Sequence, residues 1–242
     1  MALTPAQQSY LRKSAMKQAA DDEAANAHGQ TVGTAYELTL AQLHQHRLRL
    51  KDLHSVEKKI EAKRVMLPEY DAYVDGVLAA RPGTQDDVIA TVLVWHIDAG
   101  NYPRALEIAE YALASGITPP DNYNRKLPTI VQDEVAEAVI AGKVKGQAAV
   151  DIVAVAMALT QDADTPDQAK SKLYKAAGWA VLGKTGSSDV DMASRTLKAC
   201  REALPLLQRA LELDRVKSGV KKDIERLERR LKPKAAEKAP GL

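Results

Sequence analysis

Apolar residues recur three and four places apart along most of this chain, the spacing that gathers them on one face of an α-helix. Tyr36, Leu40, Leu43, Leu50, Leu53, Val56 and Ile60 follow that spacing. They predict one long helix over residues 34–64. Pro68 should break it, because proline pushes the residue before it out of helical geometry. A second helix is expected over 69–80, closed by Arg81-Pro82-Gly83-Thr84. So short a link predicts an antiparallel hairpin over 34–80. Residues 1–33 are polar and Ala-rich and read as a flexible N-terminal arm with room for one short helix.

Residues 81–160 predict a helical hairpin core. Thr84 is positioned to cap a helix whose heart is VIATVLVW, with Asp86 and Asp87 at its positive end. Gly100 suits the left-handed residue after that helix. Pro103 fits the first turn of the next one, RALEIAEYALAS. Small Ala105, Ala109 and Ala112 allow close approach, while Trp95, Leu106, Ile108 and Leu113 fill space. Further helices are expected near 130–141 and 146–159. Over 161–214, Thr165-Pro166-Asp167-Gln168 signals a helix start. Trp179, Leu182 and Gly183 follow, and then a second helix with Ala203, Leu207, Ala210 and Leu211, in which Pro205 should force a kink. The large-and-small alternation of these pairs, in the centre and the C-terminal part, resembles a tetratricopeptide (TPR) unit. Residues 215–242 predict a basic amphipathic helix striped by Val220, Ile224, Leu227 and Leu231, then a disordered tail. No strand-like alternation is long enough to build a sheet, so the expected fold is all-α: helical hairpins led by a long basic N-terminal helix.

Composition changes this picture little, but charge distribution changes it more. The 242 residues include no Phe and one cysteine, Cys200. A lone thiol in an apolar helix reads as buried and inert, in a chain of a reducing compartment. No apolar run reaches a membrane span, and the N-terminus lacks the apolar core of a secretion signal. The net charge of +2 is unevenly spread: residues 1–64 carry ten Lys/Arg against seven acids, 65–170 seven against sixteen, and 171–242 seventeen against nine. Basic ends around an acidic middle point to polyanions at the ends and protein in the middle, the alternative for each segment being ordinary solvated surface.

Catalytic and cofactor chemistry is not evident. His44 and His46 are two apart and face different sides of a helix, and Cys200 has no second cysteine, so no zinc set forms. Gly183-Lys184-Thr185 lacks the preceding glycine and strand of a phosphate loop and reads as an ordinary loop. Glu61-Ala62-Lys63 imitates a nuclease triplet, yet sits among pairing charges on a helix, and Asp86-Asp87 reads as a helix start. No catalytic residue, metal ligand or cofactor is expected.

Four segments nonetheless fall into a recognisable order: LPEYDAYVDGVL (67–78), GTQDDVIATVLVWHIDAGNYPRALEIAEYAL (83–113), DTPDQAKSKLYKAAG (164–178) and GVKKDIERLERRLKPK (219–234). With a basic helix ahead and another behind, they resemble the small terminase subunit of temperate cohesive-end tailed bacteriophages. Members of that family are sometimes labelled the terminase endonuclease subunit. The resemblance implies a protein of the host bacterial cytoplasm that binds double-stranded phage DNA at the packaging-start site. It also implies a homo-oligomer, often a ring, that recruits a large subunit carrying the ATPase and the nuclease. Two basic helices are candidates for the DNA surface. One presents Arg47, Arg49, Lys51, Lys58, Lys59, Lys63 and Arg64, and the alternative for it is the solvated back of a coiled coil. The other presents Arg226, Arg229, Arg230, Lys232 and Lys234, and it could instead dock the large subunit through Val220, Ile224, Leu227 and Leu231. The alternative function is a TPR-like adaptor that binds only proteins.

Overall fold

The structure is a computed structural model describing residues 4–25, 34–120, 124–186 and 190–232. Among the described residues it is all-helical, with eleven α-helices and two short 3-10 turns. The chain forms two compact units, residues 1–131 with 158–163, and residues 132–157 with 164–242. Helices α7 (Leu127–Ile140) and α8 (Gly146–Thr160) contribute residues to both units.

The first unit is built around α5 (Asp87–Ala99). Nearly every side chain of this helix is buried, as expected of a helix that is apolar all round. It packs on α6 (Tyr102–Ala114), on α2 (Thr34–Lys51) and on α3 (Val56–Met66). Gly100 ends α5 in the left-handed region at φ 81°. The residue that starts it is Asp86, not Thr84: its side chain accepts from the Val88 and Ile89 N–H groups at 2.9 Å each. A carboxylate outcompetes the threonine two residues earlier because Asp86 stands in extended geometry directly ahead of the first turn. Tyr73 of α4 (Asp71–Ala80) donates to the same carboxylate at 2.5 Å, tying α4 to the start of α5.

Two expectations for the N-terminal part meet a different structure. The stretch expected as an arm contains α1 (Pro5–Ala25), which packs on α4. Ala15 is buried there because Gly76 leaves room for it; a Cβ at Gly76 would lie 2.8 Å from the Ala15 methyl. The long helix over 34–64 is two helices, separated at Asp52–Ser55. Ser55 is extended, and its hydroxyl accepts from the Lys58 N–H, so it caps α3 afresh. The apolar spacing runs on across the break, but Val56 is 72 % exposed and does not continue the buried stripe of Leu43 and Leu50. Near Pro68 α3 gives way to a 3-10 turn over Leu67–Glu69 before α4, but Leu67, the residue before the proline, keeps helical geometry at φ −54° and ψ −43°.

The second unit centres on α9 (Asp167–Leu182) against α10 (Leu197–Leu213). Gly178 permits the approach, since a Cβ there would fall 2.5 Å from a Leu207 methyl. Helix α10 runs on through exposed Pro205. The proline removes one N–H from the helix ladder on the solvent side, which costs least there. Cys200 is fully buried between these helices. Helix α11 (Lys221–Leu231) is fastened by a buried polar cluster. Lys184 donates to both oxygens of Asp223 at 2.7 and 2.8 Å, and the Trp179 indole N–H donates to the same carboxylate at 3.0 Å. Lys184 also stands 4.4 Å from the centre of the Trp179 ring.

These features give two testable outcomes. Burial pushes the Asp86 carboxyl up to about 6, against the hydrogen bonds from Tyr73 and from the Ile89 and Val88 N–H groups. Between pH about 4 and about 6 the folded state therefore keeps a proton that the unfolded chain has lost, and stability falls as pH rises through that window. Asp86→Asn retains an oxygen for the cap and cannot titrate. Urea midpoints taken from pH 4 to pH 6 should lose this downward slope in the variant, and a slope parallel to the parent's contradicts the assignment. In the second unit, Lys184→Met strands the buried Asp223 charge. It should reduce stability by about 3 kcal/mol in urea unfolding followed by tryptophan emission; an unmoved midpoint would show that the cluster contributes nothing.

Candidate nucleic-acid interface

The separation of α2 from α3 decides which basic side chains meet. The last turns of α2 and the middle of α3 enclose a cleft of about 420 Å³ lined by His44, Arg47, Leu48, Leu50, Lys51, Lys59, Lys63 and Trp95. Arg47, Lys51, Lys59 and Lys63, four of the seven basic residues that the sequence singles out here, thus converge on one concavity. Arg49 and Lys58 are exposed but lie outside its lining. Arg64 lines a different hollow and donates its Nε–H to the Ala99 carbonyl at 3.0 Å.

The four are not equivalent. Arg47 donates to the Thr91 hydroxyl at 2.7 Å, and Thr91 in turn donates to the Asp87 carbonyl at 2.7 Å. This anchors the guanidinium to α5. Lys63 pairs with Asp98 and stands 5.9 Å from the centre of the Trp95 ring. Lys51 and Lys59 have no carboxylate partner among the described residues, Lys51 exposed and Lys59 half-buried. The cleft thus holds two anchored cations in its wall and two unneutralised ones, around a buried aromatic floor. Such an arrangement can accept phosphate oxygens without first breaking internal ion pairs.

Behind this wall a buried pair fixes α2. His46 Nδ1 and the Tyr70 hydroxyl lie 2.7 Å apart, and the two rings meet edge-on with centroids 5.7 Å apart. Burial holds the His46 imidazole below its ordinary range, with Glu69 pulling the other way. His44 and His46 indeed have different surroundings, one lining the cleft and one in the core.

In the second unit, Arg226, Arg229 and Arg230 line a hollow of about 620 Å³ with Val190, Asp191, Met192 and Ala193. Arg230 reaches the Ala193 carbonyl at 3.4 Å, and Lys232 is exposed beyond it. Lys234 lies outside the described residues. The apolar stripe of α11 is not a docking face: Val220, Ile224 and Leu227 are buried in the unit's own core, and Leu231 packs against it. The reason is the Asp223–Lys184–Trp179 cluster, which fixes the helix with that face inward. Lys184, from the Gly183-Lys184-Thr185 triplet, is spent on this structural contact.

A hollow of about 760 Å³ in the first unit holds features that the sequence reading missed. Asp71, Asp75 and His96 line it together with Arg64 and Arg104. Arg104 pairs with both Asp75 and Glu107. Burial, and then Arg104, drive His96 down to about 4, so the ring is neutral near pH 7, and its Nε2 is buried without a partner. Only the three-dimensional meeting of α3, α4, α5 and α6 assembles these groups; no sequence spacing marks them. Among the described residues, no three His, Cys, Asp or Glu side chains stand close enough together to hold a metal ion. Nor is any described helix long and apolar enough to cross a membrane.

Comparison with known proteins bears on this geometry. Residues 40–168 match the family model described as phage small terminase subunit. That span contains every residue lining the α2–α3 cleft and none lining the α11 hollow. A curated relative named "Terminase, endonuclease subunit", from Escherichia phage P2, is 39% identical over 245 residues, covering 98% of this chain and 92% of the relative. No solved structure matches the chain. A match over more than half the chain, joined to a relative of that identity along nearly its full length, decides the family: the chain belongs to the phage small terminase subunits and serves in phage DNA packaging.

Proposed function

We propose that this protein is the DNA-recognising partner of the packaging motor. In this reading it grips the backbone of phage duplex DNA through the α2–α3 cleft, acts in several copies, and recruits a large subunit that supplies ATP hydrolysis and DNA cutting. The observation that carries the proposal is the convergence of Arg47, Lys51, Lys59 and Lys63 on one concavity, with Lys51 and Lys59 left unneutralised. The match of that region to the family supports it. A single cleft with two free ammoniums binds DNA weakly. Repetition in an oligomer raises the effective concentration of each cleft for the same duplex, so modest contacts add up.

Cutting is assigned to the large subunit. The hollow of the first unit that Asp71, Asp75 and His96 share also holds two arginines, and Arg104 already pairs with Asp75. A carboxylate so engaged, with two arginines beside it, is a poor ligand for the Mg²⁺ that nucleases use. Incubation of the purified chain with Mg²⁺ and a duplex bearing the cohesive-end site should leave the DNA intact; cleavage by the chain alone would overturn this assignment.

The DNA contact is tested by salt. Each lysine–phosphate contact contributes about −0.9 to the slope of log K against log salt on duplex DNA. Lys51→Gln with Lys59→Gln should flatten that slope by about 1.8 for each engaged copy. Arg229→Gln with Arg230→Gln tests the rival surface on α11. A slope changed only by the α11 pair would move the interface there. Absence of duplex binding by the parent at low salt would favour a protein-only adaptor.

A further inference from the structure

The second unit contains a hollow of about 460 Å³ that the packaging role does not use, a size typical of small-molecule sites. Its wall includes Lys172, Lys175, Lys217 and Ser218, with Ile140 and Ala141 giving an apolar side. Lys172 is occupied by Asp133 at 3.2 Å and by Glu137 at 3.6 Å. Lys175 is different. It is half-buried, has no carboxylate partner among the described residues, and rests 4.6 Å from the centre of the Trp179 ring. Its ammonium lies beside Gly219, 3.6 Å from where a Cβ would be. Asp223 also acts on it electrostatically, but that carboxylate is already engaged by Lys184 and by the Trp179 indole N–H. A partly desolvated ammonium in this position gains from a further anion.

Two further groups point the same way. The Asp214 carboxylate accepts from the N–H groups of Val216 and Lys217 at 3.1 and 2.8 Å, which fixes the turn that carries Lys217 into the wall. Lys217 likewise has no carboxylate side-chain partner among the described residues. Ser218, next in the chain and only 5 % exposed, has a buried hydroxyl with no hydrogen-bond partner. The wall therefore offers two unpaired ammoniums and an unsatisfied hydroxyl. The acids that line it or act on it are Asp214, engaged by the turn, Glu137, engaged by Lys172, and Asp223, engaged by Lys184.

We propose that this hollow binds the phosphate of a small ligand, with Lys175 and Lys217 balancing its double charge and Ser218 donating to one oxygen. A phosphate dianion matches two free ammoniums and has oxygens to spare for the hydroxyl, whereas a single carboxylate would leave one ammonium unmatched. Inorganic phosphate chains and nucleotides share this chemistry. The apolar side at Ile140 and Ala141 offers a place for a base or sugar if the source is a nucleotide.

Trp179 reports on the site because Lys175 lies on its ring. The full-length chain is titrated with tripolyphosphate, and separately with ATP, while tryptophan emission and heat are recorded. Both probes should give saturable signals. Equal affinity identifies the phosphate chain as the ligand, and tighter binding of ATP identifies a nucleotide. Lys217→Gln, on an exposed side chain that leaves the fold intact, and Lys175→Gln should each weaken binding about tenfold, the loss expected for one charge-assisted contact. Lys198→Gln, an exposed lysine away from the hollow, should bind as the parent does. No saturable signal with either probe, or unchanged affinity in Lys217→Gln, would overturn the proposal. The DNA salt slope of these variants should match the parent's, so failure here is distinguishable from failure of the α2–α3 assignment.

Discussion

The arrangement of the basic residues depends on one local event, the re-capping of the chain at Ser55. Were residues 34–64 a single helix, successive side chains would turn by a fixed angle and the basic residues would spread along a rod. Ser55 instead takes an extended backbone and satisfies the Lys58 N–H, so α3 starts on a new axis. The second half of the basic segment then faces the first across a cleft whose floor is Trp95. What holds the two halves there is α5. Arg47 hydrogen-bonds to it through Thr91, and Lys63 pairs with its Asp98. Helix α5 is itself fixed by the buried Asp86 cap and by Tyr73.

This dependence gives the basic residues different physical roles. Cations tied to α5 shape the cleft and give up part of their charge to internal partners. Cations without partners carry the electrostatic field that a polyanion would feel. Mutating an anchored residue such as Arg47 would disturb structure and charge together. The unpaired lysines are the cleaner probes, because removing an exposed charge without a partner seldom affects stability by much.

The fold was largely legible in the sequence because its strongest signals are punctuation marks with a mechanism. Pro68 and Gly100 break or end helices where they must, and the apolar run after Asp86 reads as a buried helix. The break at Ser55 was hidden because Leu53, Val56 and Ile60 keep helical spacing across it. Spacing alone does not reveal that Val56 faces solvent. Thr84 and Asp86 are both good capping residues two positions apart, and backbone geometry decides between them. At the other end, the stripe of α11 was correctly located but could be read as a core face or a docking face. The buried partnership of Lys184 with Asp223, 39 residues apart, settles that, and no local pattern announces it. The candidate basic residues were legible as two groups. Which of them share a concavity was not, since that depends on how the helices cross.

In the proposed interface, Lys51 and Lys59 face bound DNA while Arg49 and Lys58, their near neighbours in sequence, do not. The most direct measurement is site-specific photocrosslinking to a duplex. Cysteine introduced singly as Lys51→Cys, Lys59→Cys, Arg49→Cys or Lys58→Cys carries a short photoreactive label, and the native Cys200, fully buried, stays unlabelled. The account predicts strong crosslinks from positions 51 and 59 and weak ones from 49 and 58. Equal crosslinking from all four, or stronger crosslinking from 49 and 58, would contradict it.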